Sequence, residues 1–176
     1  MRSFKTILAL VTLLAASPGA HAIDERWYWN ASLWKFDDVD VDADGLAIDL
    51  GHKLTNWISV QGRLGRTSKE DVIGNLDLGV DYYVSALARV ELRYDNFALY
   101  GLGGYSYFKF GGSLVEAVNG PDDNDGVAIG LGMALYGTRQ TAITIEYMKH
   151  YLDYDAEPKA IFLGILHRFN WAQPSF

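Results

Sequence analysis

The chain has 176 residues, is 49% hydrophobic and 14% aromatic, and contains 18 glycines and no cysteine. That composition is too apolar for a disordered chain, and the missing thiol excludes a disulfide framework, a lipid-anchored cysteine and thiol chemistry. A formal charge of −7 argues against nucleic acid as a partner.

The N-terminus has three parts in order. Arg2 and Lys5 form a basic region, Thr6 to Ala16 (TILALVTLLAA) is apolar, and Ala20-His21-Ala22 has the small-x-small form of a cleavage site. The apolar run is too short to cross a bilayer as a helix, which needs about 20 residues. Residues 1–22 are therefore expected to be a cleaved secretory signal peptide, leaving 23–176 as one domain. Cleavage removes two basic residues and no acidic one, so the exported chain is more acidic still.

The rest reads as strands. Segment 25–36 (ERWYWNASLWKF) is rich in aromatics and free of glycine and proline. Segment 45–54 sets Leu46, Ile48, Leu50, His52 and Leu54 against Ala47, Asp49, Gly51 and Lys53. Segment 57–66 repeats the pattern, with Ile58, Val60 and Leu64 opposite Ser59, Gln61 and Arg63. Segment 81–94 sets Val84, Ala86, Ala88, Val90, Leu92 and Tyr94 against Tyr83, Ser85, Leu87, Arg89, Glu91 and Arg93. In 97–108 (FALYGLGGYSYF) the faces are ambiguous. Segment 127–136 opposes Val127, Ile129, Leu131, Met133 and Leu135 to Ala128, Gly130, Gly132 and Ala134. Segment 141–150 opposes Ile143, Ile145 and Tyr147 to Thr144, Glu146, Met148 and His150, and 160–169 (AIFLGILHRF) is the last. A period of two held over about ten residues is the mark of a strand with two different faces.

The connections alternate in length. Thr55-Asn56, Asp95-Asn96 and Gly137 to Gln140 are short. The links 37–44 (DDVDVDAD), 67–75 (TSKEDVIGN), Lys109 to Gly126 and 152–159 (LDYDAEPK) are longer and acidic. Short turns on one rim and long loops on the other predict an eight-stranded antiparallel up-and-down barrel that crosses a membrane. Only closure bonds every backbone group inside hydrocarbon. Lipid would then meet the apolar face, and the narrow lumen would hold Asp49, Lys53, Gln61, Arg63, Arg89, Glu91, Arg93 and Glu146 as a mutually paired network. Aromatics near segment ends suggest two interfacial girdles: Trp27, Trp29, Trp34, Phe36, Trp57, Tyr94, Phe97, Phe108, Tyr136, Tyr151 and Phe169. The same alternation with its faces reversed would make a soluble periplasmic barrel of lipocalin type.

On these features the chain resembles the outer-membrane β-barrel family that includes the OmpA transmembrane domain and OmpX-type barrels. The phrases LARVELRYDNFALYGLGGYSY (87–107) and TAITIEYMKHY (141–151) are similar to that family's central strands and Glu-bearing seventh strand. The ending GILHRF resembles the signal read by the barrel-assembly machinery, with Gly164 and the terminal aromatic Phe169. His167 stands where an aromatic or aliphatic residue is usual, and Phe176, beyond Pro174, supplies a second terminal aromatic. The resemblance implies a monomer in the Gram-negative outer membrane, with lipid and lipopolysaccharide around it and no cofactor. A C-terminal wall-binding domain is not expected, and with it the family's tethering role is not expected to carry over.

Two motifs invite sharper readings. Asp40, Asp42, Asp44 and Gly45 match the start of a calcium loop, but the twelfth position is Gly51 rather than Glu. They are read as a weak divalent-ion site at most, or as a solvated charge run. Lipid A deacylases of this size carry a His-x-Ser pair, whereas His150 is followed by Tyr151 and Leu152. His52 and His167 are isolated in strands, and His21 leaves with the signal peptide. The expectation is a non-enzymatic barrel, with a lipid A-modifying enzyme and the soluble barrel as alternatives.

Overall fold

A computed structural model describes residues 26–36, 44–69, 71–73, 76–111, 123–152 and 158–170. They form β1 (Trp27–Phe36), β2 (Asp44–Lys53), β3 (Ile58–Lys69), β4 (Asp71–Ile73), β5 (Leu76–Tyr94), β6 (Phe97–Gly111), β7 (Asp123–Tyr136), β8 (Thr141–Leu152) and β9 (Lys159–Phe169). Each long strand pairs antiparallel with its sequence neighbour. Two further pairings close the ring, β1 with β9 and β3 with β5. The result is a closed barrel of eight strands, with the short β4 as a hairpin extension on β5.

Closure removes both sheet edges, so the ladder is satisfied without solvent. The short rim holds residues 54–57, 95–96 and 137–140. Asp95 turns the two-residue hairpin with φ of 49°, a left-handed conformation that Asp and Asn tolerate better than branched residues. The two ends of the described barrel meet at this rim, where the Arg26 amide donates to Asn170 Oδ1 at 3.3 Å.

The opposite rim differs from expectation. The stretches 67–75 and 109–126 are not loops throughout. Strand β3 runs on to Lys69, β5 starts at Leu76, β6 reaches Gly111 and β7 starts at Asp123. Polar residues such as Asp123 and Asp125 belong to extended hairpins because backbone pairing continues past the apolar band.

The two faces separate by alternation. In β2 every second residue from Gly45 to Gly51 is buried and those between are open. The ambiguity of β6 resolves with Ala98, Tyr100, Leu102, Ser106 and Phe108 inside. Close approach of strand to side chain depends on glycine. A Cβ on Gly51 would stand 2.1 Å from the Tyr28 ring, and one on Gly132 would stand 2.4 Å from Tyr100. Each glycine thus makes the space in which a cross-strand tyrosine lies flat against the inner wall.

Candidate functional site

The lumen is the one place where charged side chains converge at depth among the described residues. Strands β2, β3 and β8 project Asp49, Arg63 and Glu146 to its centre because all three lie on the inward parity. Arg63 is 1% exposed. Its Nε donates to Asp49 Oδ1 at 2.5 Å, and Nη2 donates to Asp49 Oδ2 at 2.9 Å and Glu146 Oε2 at 2.5 Å. Nη1 reaches the Met148 sulfur at 2.9 Å, and the guanidinium lies 4.3 Å from the Phe162 ring centre. Asn30 donates to Asp49, and the Tyr100 hydroxyl donates to Glu146 Oε1, both at 2.9 Å. From β3, Arg63 thus bridges a carboxylate on the adjacent strand β2 and one on β8, directly across the barrel.

A second cluster lies toward the short-turn rim. Glu91 accepts from Arg89 Nη2 and from Arg168 Nη2, each at 2.6 Å. Arg168 also donates to the Tyr136 hydroxyl. Arg89 stacks over Tyr100 at 3.5 Å. Gln61 accepts from the Tyr28 hydroxyl at 2.8 Å. Three buried arginines (63, 89, 168) therefore face three buried carboxylates (49, 91, 146), so the packed core is neutral. Buried charges are tolerable only with such pairing.

Toward the long-loop rim the lumen becomes aromatic. Tyr83 stacks on Phe108 at 5.1 Å and meets Trp34 edge-on at 5.8 Å, while His150 meets Phe108 edge-on at 4.9 Å. His150 Nδ1 shares a hydrogen bond with Ser106 Oγ at 3.1 Å, and that hydroxyl also bonds Ser85 Oγ at 2.7 Å. This imidazole–hydroxyl pair is fully buried among rings.

Six of the eight expected lumen residues are buried: Asp49, Gln61, Arg63, Arg89, Glu91 and Glu146. Lys53 is half-buried, and Arg93 corrects the expectation. It is exposed at the short-turn mouth, its guanidinium 4.0 Å from the Tyr136 ring centre, because the strand ends one residue later. Trp34, Phe108 and Tyr136 also correct the girdle. Inward parity puts them in the lumen, at 5% exposure or less. Trp27, Trp29, Trp57, Tyr94, Phe97, Tyr151 and Phe169 do stand on the outer face, while the Phe36 side chain lies outside the described set. Arg168 was missed, although its parity with Leu166 on β9 places it inside.

The other two histidines among the described residues pack on aromatics. His52 lies 4.5 Å from Trp27, and His167 lies 5.9 Å from Trp29 and hydrogen-bonds Thr141 Oγ1 at 2.9 Å. Asp44 opens β2, while Asp40, Asp42 and Phe176 lie outside the described residues. No group of three or more His, Asp and Glu capable of holding a metal occurs among the described residues.

The outer surface decides the solvent. Leu92 and Leu131 are each 73% exposed, within a continuous wall of Leu, Ile and Val on every long strand. Water-soluble proteins rarely expose more than a few hundred Å² of contiguous apolar surface, and a lipocalin-type barrel would turn these residues inward. A closed sheet with ion pairs within and hydrocarbon side chains without is an integral membrane β-barrel. The chain belongs to the outer membrane protein β-barrel domain family, which it matches over residues 6–169. It is a protein of the Gram-negative outer membrane.

No protein of curated function matches the sequence. Solved barrels do match the fold. Ail of Yersinia pestis, solved in complex with the heparin analogue sucrose octasulfate, is 20% identical with a TM-score of 0.58, covering 84% of this chain and 100% of that one. The N-terminal β-barrel domain of Pseudomonas aeruginosa OprF is 15% identical with a TM-score of 0.63, covering 83% and 98%. Neisserial surface protein A is 14% identical with a TM-score of 0.61, covering 82% and 96%.

Proposed function

We propose that this protein is a non-enzymatic outer-membrane anchor whose acidic loops form a contact surface for lipopolysaccharide, divalent ions or a host surface. The observation that carries this reading is the charge-balanced lumen. Arg63, Arg89 and Arg168 are each held by carboxylates, and Asp49 and Glu146 also accept from Asn30 and Tyr100. Groups so engaged tie strands together and do not line an open path. An eight-stranded ring has an interior about wide enough for its own side chains. Residues 1–22 act as the cleaved signal peptide. The segment from Gly164 through His167 to Phe169, with Phe176 as the other candidate terminus, serves the barrel-assembly machinery. The protein works as a monomer.

Two measurements test this reading. In planar bilayers the purified barrel is expected to give no stable conductance steps. Lipid A from cells with and without the protein is expected to have the same acyl composition by mass. Stable conductance, or an acyl change abolished by His150→Ala or His52→Ala, overturns the anchor reading. The mature N-terminus is expected at Ile23.

A further inference from the structure

One register row crosses the lipid face of five strands as Leu64, Ile48, Ala31, Ile165 and Ile143. Ala31 is the short side chain among long ones, so the wall dips there. The dip opens into a furrow of about 920 Å³ whose end toward the long-loop rim is formed by Arg66, Asp81 and Tyr82. Through Leu33 and Leu163 it continues into a second hollow of about 380 Å³ that ends on Lys35 and Asp44.

The distribution of charge on the same face is one-sided. The outward-facing cations of the described strands are Lys35, Arg66, Lys109, Lys149 and Lys159, and all five lie in the half toward the long loops. Lys149 and Lys159 stand directly opposite each other on β8 and β9. Lys149 also lies over the Tyr151 ring, 4.5 Å from its centre, and like charges placed opposite each other favour an anion nearby. Carboxylates share this band: Asp44 stands opposite Lys35 and Asp81 lines the furrow end with Arg66, while Asp125 accepts from Tyr105 at 2.7 Å and Asp123 from Tyr107 at 3.3 Å. The outer leaflet of this membrane supplies phosphate at that level and acyl chains below it.

We propose that the furrow at Ala31 seats an acyl chain of lipid A, with a lipid A phosphate held by Arg66 and Lys35. This deepens the reading above, which gives lipopolysaccharide as a partner, and rests on it. The apolar row supplies the length of contact, and Arg66 at the end of the furrow and Lys35 at the end of the adjoining hollow fix the lipid's depth and orientation.

Native mass spectrometry of the detergent-solubilised barrel titrated with purified lipid A tests the site. Each variant is first checked for the folded band by heat-modifiable migration. Wild type is expected to retain one lipid A per barrel. Ala31→Trp fills the dip, and R66A/K35A removes the phosphate contacts. Each is expected to raise the apparent Kd at least about fivefold, the effect of roughly one surface cation on an anionic lipid. Ala88→Trp, on the lipid face of β5 outside the furrow, is expected to bind as wild type. Dephosphorylated lipid A should bind wild type as weakly as intact lipid A binds R66A/K35A. If Ala31→Trp does not fold, R66A/K35A decides. Unchanged binding by the furrow variants, an equal loss in Ala88→Trp, or a wild-type dimer that Ala31→Trp converts to monomer would each overturn the proposal. Such a failure leaves the anchor reading standing, since that fails only on conductance or acyl chemistry.

Discussion

Removing the central cation tests what closes the lumen. Arg63→Met keeps an unbranched, lumen-filling side chain and deletes the charge. Asp49 Oδ2 and Glu146 Oε2 both bond the same Nη2, at 2.9 and 2.5 Å, so they stand at most about 5.4 Å apart. At an effective dielectric of about 20, two like charges at that separation repel by roughly 3 kcal/mol. The surviving bonds from Asn30 and Tyr100 do not neutralise either carboxylate. The single variant is therefore expected to lose about 3–5 kcal/mol, the usual cost of stripping one partner from a buried pair. The triple variant Asp49→Asn, Arg63→Met, Glu146→Gln leaves no orphaned charge and is expected within about 1–2 kcal/mol of wild type. Urea titration in lipid vesicles, followed by tryptophan fluorescence, measures both. A single variant within about 1 kcal/mol of wild type, or a triple no better than the single, would refute the bridging role of Arg63.

Three further outcomes follow from the geometry. Gly51→Val puts its Cβ into the Tyr28 ring, 2.1 Å from the nearest atom, and is expected to cost about 2 kcal/mol in the same titration; pairing it with Tyr28→Ala should recover part of that loss. Leu131→Arg places a cation on the apolar outer wall and is expected to cost about 2–4 kcal/mol in vesicles, with a much smaller effect in detergent if lipid is the true solvent of that face. Asp95→Val forces a β-branched residue into φ of 49° and should cost about 1–3 kcal/mol, while Asp95→Gly should be neutral or slightly stabilising, as read from unfolding midpoints.

Much of the barrel is legible in the sequence because two solvents impose two alternating demands. In β2, β3 and β5 the alternation is clean, and charge settles which face is which: Asp49, Arg63, Arg89 and Glu91 share their parity with no leucine-rich outer residue. That rule fails where both faces are apolar. In β9, Ala160, Phe162 and Leu166 point inward while Ile161, Leu163 and Ile165 point outward. Arg168 there sits on a parity with no other charge to declare it. Trp34 is different, because its inward parity is declared by Asn30 and Ser32 on the same strand. A position near a strand end suggests a girdle only if parity is ignored, and the glycine opposite, Gly45, is what admits the indole.

The lumen also shows why polarity, not size, distinguishes its two ends. Both ends are filled by rings, Tyr28, Tyr100 and Tyr136 toward the short turns and Trp34, Tyr83, Phe108 and Phe162 toward the loops. Arginines accompany the first set more densely, where Arg89 lies over Tyr100 and Arg168 and Arg93 lie over Tyr136, against Arg63 over Phe162 in the second. A planar guanidinium can stack on a ring and still direct its N–H groups in plane to a carboxylate. Ring and ion pair therefore pack in the same layer, each buried charge facing a counter-charge. The alternation of strands supplies the positions, but only residues able to serve both neighbours at once make a charged interior as close-fitting as an apolar one.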